Sequence, residues 1–247
     1  MRSLILGTLA SATVFGLSPA PAHAGSFSVT PLRVELSPAA RTGALTIRNQ
    51  QDAPLVVQAE GLLWEQADGE DRLTATRDVL VSPAVFTLPA SGSQLVRVAL
   101  RRPADAERQL SYRLILTEVP GPPDPSFKGL SVALRLSLPI FVEAVTPAPP
   151  QLEWSAARSS DGGIAITARN AGNAHARVLD FAVAPAAGPG EPLRQQVAAY
   201  ILPGQARTWT LGDNKNDGTS GNDWRRLRVK GATEAGDFEV EVGFAGP

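Results

Sequence analysis

The residue types that could catalyse a reaction or bind a metal are few in this sequence. Cysteine is absent, and the two histidines are His23 and His175. A thiol nucleophile, a histidine metal cluster and most Ser-His-Asp arrangements are thereby removed. His175 lies in a turn that leads into a predicted strand, so we interpret it as a structural residue. The sequence therefore predicts a protein that is not an enzyme and that needs no metal or other cofactor.

Two polar tracts resemble functional sites only superficially. Four acidic residues could be interpreted as the paired carboxylates of a glycoside hydrolase, namely Glu65, Asp68, Glu70 and Asp71. They bracket the turn sequence Asp68-Gly69, so a solvated hairpin loop is the better interpretation. The tract 213–218 resembles the start of a calcium loop, but its third position is Lys215 and its twelfth is Trp224 instead of glutamate. We interpret that tract as a polar loop.

The first 24 residues have the pattern of a secretory signal peptide. Arg2 precedes an apolar run, and Ala22-His23-Ala24 is a small-residue cleavage site. The run is shorter than the roughly 20 residues that a membrane-spanning helix needs. We expect cleavage after Ala24, export to the periplasm and no membrane insertion. The formal net charge of −1 argues against nucleic acid as a partner.

Short alternating or β-branched segments recur along the rest of the chain, separated by turn-forming residues. No helical periodicity of useful length competes with them. We expect an all-β protein with two immunoglobulin-like β-sandwich domains in tandem. The proline-rich segment 146–150 is the expected linker between an N-terminal domain at 25–145 and a C-terminal domain at 151–247. Because disulfides are impossible without cysteine, each domain must depend on its own apolar core.

An unusually long alternating segment spans residues 130–142. Its leucine and valine residues share one face, and its serine, alanine and arginine residues share the other. This alternation predicts a half-buried strand, and the apolar face could simply pack into the domain's own core. The segment is, however, longer than a typical strand of about five or six residues. An exposed apolar strand at a sheet edge would need a partner to cover it.

A series of short motifs accompanies this segment and extends over nearly the whole chain after the leader. They include Val29-Thr30-Pro31-Leu32-Arg33-Val34, Ala53-Pro54-Leu55-Val56-Val57-Gln58, Val81-Ser82-Pro83, Glu118-Val119-Pro120 and Leu138-Pro139-Ile140-Phe141-Val142. Their order and spacing resemble those of the periplasmic pilus chaperones, the PapD-like family. The resemblance implies a protein that binds pilus or fimbrial subunits, lends each one a β-strand, and delivers it to an outer-membrane usher. A structural or adhesive immunoglobulin-like protein of the periplasm or cell surface is the alternative.

The resemblance also implies which residues form the donor strand. In this family a long strand of the first domain fills the groove of an incomplete subunit, and its alternating apolar side chains enter pockets there. The matching residues are Leu130, Val132 and Leu134, and Leu136 continues the series.

A second implied site anchors the carboxylate at the C-terminus of the subunit. The family uses two basic residues in the cleft between the domains, and Arg33 matches the first of them. The second is a lysine late in the donor strand, where this sequence has Pro139. The departure indicates a divergent branch of the chaperone-usher pathway, in which Arg113 or Arg135 could complete the anchor.

Overall fold

The computed structural model describes residues 27–121, 132–159, 162–212 and 224–244. Throughout these ranges the regular elements are β-strands, and none of the described residues forms a helix that could cross a bilayer. Leu130, the predicted leader and the tract 213–218 lie outside the described residues.

The first ten strands form two facing sheets with one core. They are β1 (Phe27–Thr30), β2 (Val34–Leu36), β3 (Thr42–Asn49), β4 (Leu55–Ala67), β5 (Glu70–Ala75), β6 (Val79–Ser82), β7 (Val85–Leu88), β8 (Ser93–Leu100), β9 (Leu110–Val119) and β10 (Arg135–Val142). One sheet has the order β1-β3-β8-β6, and the other has the order β2-β10-β9-β4-β5 with β7 also paired to β4. Inward-facing side chains such as Leu45, Leu88 and Leu116 are almost fully buried between the sheets.

Seven further strands form a second sandwich with a separate core. They are β11 (Leu152–Arg158), β12 (Ile164–Asn170), β13 (Ala176–Pro185), β14 (Leu193–Ile201), β15 (Ala206–Leu211), β16 (Arg226–Thr233) and β17 (Gly236–Gly243). The sheets have the orders β11-β12-β15 and β14-β13-β16-β17. Ile166, Phe181 and Leu227 lie in the core between them. The predicted fold class is thus confirmed, while the proposed domain limits at 146–150 stay a prediction.

The predicted turn at Asp68-Gly69 joins β4 to β5. Both residues have positive φ, 56° and 79°, as the tight hairpin turn requires. Three strands were not predicted from the sequence, namely β5, β6 and β7. β5 is exposed along its whole length, so it carries no apolar periodicity that could have revealed it.

The strand expected at 130–142 is shorter than predicted, because its ladder begins at Arg135. Its antiparallel partner β9 ends at Val119. The last backbone bond between the two segments runs from the Glu118 N–H to the Leu134 oxygen, at 2.9 Å. Pro120 follows and has no N–H to extend the ladder. In the described part of the chain, Val132 and Ala133 precede this last bond and therefore lie beyond the backbone pairing with β9.

A small aromatic cluster joins the two sandwiches. Trp64 of β4 and Phe141 of β10 pack against Tyr200 and Leu202 of the second sandwich. Gln66 crosses the same junction. Its Nε2 donates to the backbone oxygen of Tyr200 at 3.0 Å, and its Oε1 accepts from the backbone N–H of Leu202 at 2.9 Å. The outer face of the sheet that contains β10 thus lies against the second sandwich.

Candidate functional site: an open strand edge and a charged cleft

β10 is paired along its whole length on one side only. β9 pairs with all eight of its residues, whereas β2 pairs with Ile140–Val142 alone. The Leu134 oxygen bonds toward β9, and the Glu143 N–H bonds to the Leu36 oxygen on the β2 side. The N–H and C=O groups of successive residues point to opposite sides of a strand, so Arg135 and Ser137 direct their N–H groups to the β2 side. β2 does not extend as far as these two residues. Among the described residues, this part of the edge has no partner strand.

The apolar face of this segment emerges gradually from the core. Leu138 is buried, with 7% of its surface exposed. Leu136 and Leu134 are partly buried and pack against the core of the first sandwich. Val132 is 75% exposed. The described donor residues therefore differ in exposure. Leu134 and Leu136 contact the protein's own core, whereas the side chain of Val132 is exposed to solvent.

Arg33 lies in the bend between β1 and β2 and faces the second sandwich. Its Nη1 donates to Oε1 of Glu234 at 2.5 Å, and its Nε lies 2.9 Å from a carboxylate oxygen of Glu35. Burial disfavours the charged guanidinium, but the hydrogen bond to Glu234 and the attraction of Glu35 outweigh it, so the pKa of Arg33 is raised. The charged guanidinium of Arg33 is thus held in the cleft by two carboxylates.

The two candidates for the second anchor lie in different places. Arg113 is directly opposite Pro139 in the ladder, which puts both side chains on one face. Its guanidinium carbon lies 3.6 Å from the centre of the Trp64 ring, and burial lowers its pKa. Arg135 is exposed and lies five residues from Ile140, about 17 Å along the strand. Since Ile140 pairs with Val34, the residue after Arg33, the structure separates Arg135 from Arg33.

His175 has a structural role at the junction that the sequence did not reveal. Its ring stacks on Phe141, with the ring centres 3.6 Å apart, and Nδ1 lies 2.7 Å from Oε1 of Gln109. Nε2 lies 4.0 Å from a carboxylate oxygen of Glu234, the partner of Arg33. Burial lowers the pKa of His175 to about 4, and the charge of Arg33 adds to this effect. The imidazole is therefore neutral near pH 7.

The acidic residues considered as a possible carboxylate pair are part of a hairpin in the structure. Glu65, Asp68, Glu70 and Asp71 line the exposed β4–β5 hairpin, as expected. Asp71 accepts a hydrogen bond from Gln66 at 2.8 Å. Within the described ranges, no three histidine, cysteine, aspartate or glutamate residues are grouped so as to hold a metal ion.

Comparisons with known proteins agree with this architecture. Residues 26–147 match the family profile described as pili and flagellar-assembly chaperone, PapD N-terminal domain. A comparison with curated proteins by sequence gave no match.

Solved structures with the same fold include the following three. The first is a chain of the CsuC-CsuE chaperone-tip adhesion subunit complex from archaic chaperone-usher Csu pili of Acinetobacter baumannii, with 18% identity, 90% of this chain and 100% of that chain covered, and a TM-score of 0.65. The second is a chain of the Salmonella enterica SafA pilin–SafB chaperone complex, with 16% identity, 90% of this chain and 98% of that chain covered, and a TM-score of 0.60. The third is the E. coli chaperone DraB, with 19% identity, 88% of this chain and 96% of that chain covered, and a TM-score of 0.59. At these identities the likeness shows the fold.

Proposed function

Because residues 26–147 belong to the PapD-like family of pilus-assembly chaperones, we propose that this protein is a periplasmic chaperone that binds pilus subunits and delivers them to an outer-membrane usher. The proposal includes removal of the leader after Ala24. It also includes a mode of action by binding alone, without catalysis.

The open edge of β10 is the observation that carries the proposal. A sheet edge with unpaired N–H and C=O groups binds an extended segment of another chain by adding a strand. Arg135 and Ser137 offer their backbone groups in this direction, whereas Pro139 has no N–H to offer. The edge is thus free toward residue 132 and closed by β2 from Ile140 onward.

The emerging apolar face supplies the side chains that a subunit groove would bury. Full burial of one aliphatic side chain contributes about 1.5 to 3 kcal/mol. Val132 can contribute most of that amount because it is largely exposed. Leu134 and Leu136 contribute less, since part of their surface already contacts the core. Leu130 is assigned to the same series and lies outside the described residues.

Arg33 is proposed to bind the terminal carboxylate of the subunit. It is already paired with Glu234 and Glu35, so an incoming carboxylate would take the place of one of these partners. Exchange of one carboxylate for another gives a contact that is specific but readily reversed, which suits a chaperone that must later release its cargo.

The test compares two neighbouring exposed residues, Val132 and Ala133. We expect Val132→Glu to abolish capture of co-expressed pilus subunits, because a carboxylate in an apolar groove costs several kcal/mol. Ala133→Glu introduces the same charge at the adjacent position and should capture subunits normally. Both residues are exposed, so both variants should melt at the wild-type temperature. Equal capture by Val132→Glu and Ala133→Glu would contradict the donor-strand assignment.

A further inference from the structure

Glu118 interrupts the apolar pattern of β9. The inward-facing residues of this strand include Tyr112, Leu114 and Leu116, and each of them is fully buried. Because side chains alternate along a strand, Glu118 is the next residue on the same face. It lies opposite Val57 of β4, which is also fully buried. A carboxylate beside an apolar core is unfavourable unless its oxygens accept hydrogen bonds, so the group that it binds is informative.

The Glu118 side chain binds the backbone of Leu134. In a regular antiparallel ladder, the Leu134 N–H would donate to the main-chain oxygen of Glu118. In this structure it donates to Oε2 of the Glu118 side chain, at 3.1 Å. The Glu118 N–H donates in turn to the Leu134 oxygen, at 2.9 Å. One residue thus binds both polar backbone groups of Leu134.

These two bonds mark the point at which the chain before β10 separates from β9. From Arg135 onward, the residues of β10 pair with β9 in the regular ladder. Val132 and Ala133 precede Leu134 and lie beyond that pairing. Pro120 cannot add a further rung, because it has no N–H. Leu134 is therefore the residue at which the protein's own sheet ends and the segment open to another chain begins.

We propose that Glu118 is a positioning residue that fixes Leu134 and so determines where the strand lent to a pilus subunit begins. The inference rests on the proposed function. Side chains two positions apart share a face of a strand, so the orientation of Leu134 sets the direction of Val132. Val132, which is 75% exposed, is the apolar side chain that the proposed capture would bury. Glu118 thus acts on subunit binding through Leu134 and needs no contact of its own with the subunit.

The benefit of a fixed Leu134 is a smaller ordering cost when a subunit binds. A strand end that moves freely must be ordered before a groove can bind it, and ordering the backbone of one residue lowers an equilibrium constant roughly tenfold. A segment that is already held in the bound conformation avoids this loss. The carboxylate is well suited to the task, because a charge-assisted hydrogen bond is stronger than one between neutral groups.

Amide exchange in the free protein tests the contact itself. Glu118→Ala removes the acceptor, whereas Glu118→Gln keeps an oxygen acceptor at the same position. The Leu134 amide should exchange at least about tenfold faster in Glu118→Ala than in the wild type or Glu118→Gln. The Leu138 amide, which points to β9 within the regular ladder, should exchange at the same rate in all three proteins. Unchanged exchange at Leu134, or faster exchange at both amides, would overturn the proposal, since Glu118 would then hold nothing or support the whole sheet.

Subunit capture tests the consequence for binding. The probe is the pilus subunit that the wild type captures on co-expression. Its affinity should fall about tenfold for Glu118→Ala and stay within about threefold of the wild type for Glu118→Gln. The matched control is Glu60→Ala, which removes the same charge from an exposed position on β4 and should bind like the wild type. Equal affinity of Glu118→Ala and the wild type would overturn the proposal.

The two experiments separate this inference from the proposed function. If the wild type captures no pilus subunit, the proposed chaperone function is contradicted. The exchange rate of the Leu134 amide still decides whether Glu118 holds the chain at the boundary of the sheet.

Discussion

Replacing His175 with glutamine should change how the stability of this protein depends on pH. His175 is the only histidine after His23, so its titration can be observed without overlap in a chain that begins at Gly25. Its ring is enclosed between Phe141 and the charged groups Arg33, Arg177 and Glu234. Protonation would add a positive charge to a buried ring beside two arginines.

The size of the effect follows from the two pKa values. The pKa of His175 is about 4 in the folded protein and about 6.5 in the unfolded chain. Between these values the unfolded chain binds a proton that the folded chain does not, so the free energy of unfolding falls as pH falls. One proton corresponds to about 1.4 kcal/mol per pH unit, which gives on the order of 3 kcal/mol between pH 6.5 and pH 4. The contribution of neutral His175 to the free energy of unfolding is fully present above pH 6.5 and is lost as the pH falls toward 4.

Two measurements check this reasoning. An NMR titration of the His175 ring should give a midpoint near pH 4, and a midpoint near 6.5 would mean that the ring is accessible to solvent. Urea unfolding at pH 7 and at pH 4.5 should then show a smaller loss of stability for His175→Gln than for the wild type. The comparison removes the contribution of the carboxylates, which titrate in both proteins. Equal losses in the two proteins would refute the assignment of a buried, neutral imidazole.

Two further substitutions test the core of the second sandwich. In Gly231→Ala the new Cβ would lie 2.3 Å from the backbone oxygen of Asp180, so we expect thermal unfolding to show a loss of about 1 to 3 kcal/mol or more in the free energy of unfolding. The control is Gly243→Ala, whose Cβ meets nothing within 4 Å and which should be nearly neutral. Asn170→Ala should cost at least about 2 kcal/mol in chemical unfolding, because Nδ2 of this buried residue bonds to the Ala174 and Ile201 oxygens; an unchanged midpoint would contradict the role of these bonds.

The sequence was sufficient to predict the fold class and most strands, because alternation and turn residues are local signals. Asp68-Gly69 required a tight turn, and the structure has one there. The strand at 130–142 was predicted too long, because its length depends on where the partner β9 ends, at Val119 before Pro120. A strand's own residues carry no information about the length of its neighbour.

The cleft was much less predictable from the sequence. Arg33 was singled out through its family resemblance, but its partner Glu234 lies 201 positions away in the chain. Neither His175 nor Arg177 belongs to a motif, and each acquires its environment only when the second sandwich packs against Phe141 and Tyr200. Alternation along a strand shows which face a residue occupies, but it does not show which other domain that face meets.

Hydrogen exchange of the β10 amides tests the central claim most directly. In the free protein the N–H groups of Arg135 and Ser137 point to the open edge and should exchange quickly, whereas that of Leu138, on the β9 side, should be protected. In complex with a pilus subunit, we expect Arg135 and Ser137 to become strongly protected while Leu138 changes little. If Arg135 and Ser137 are already protected in the free protein, or exchange equally fast in the complex, the subunit does not add a strand to this edge.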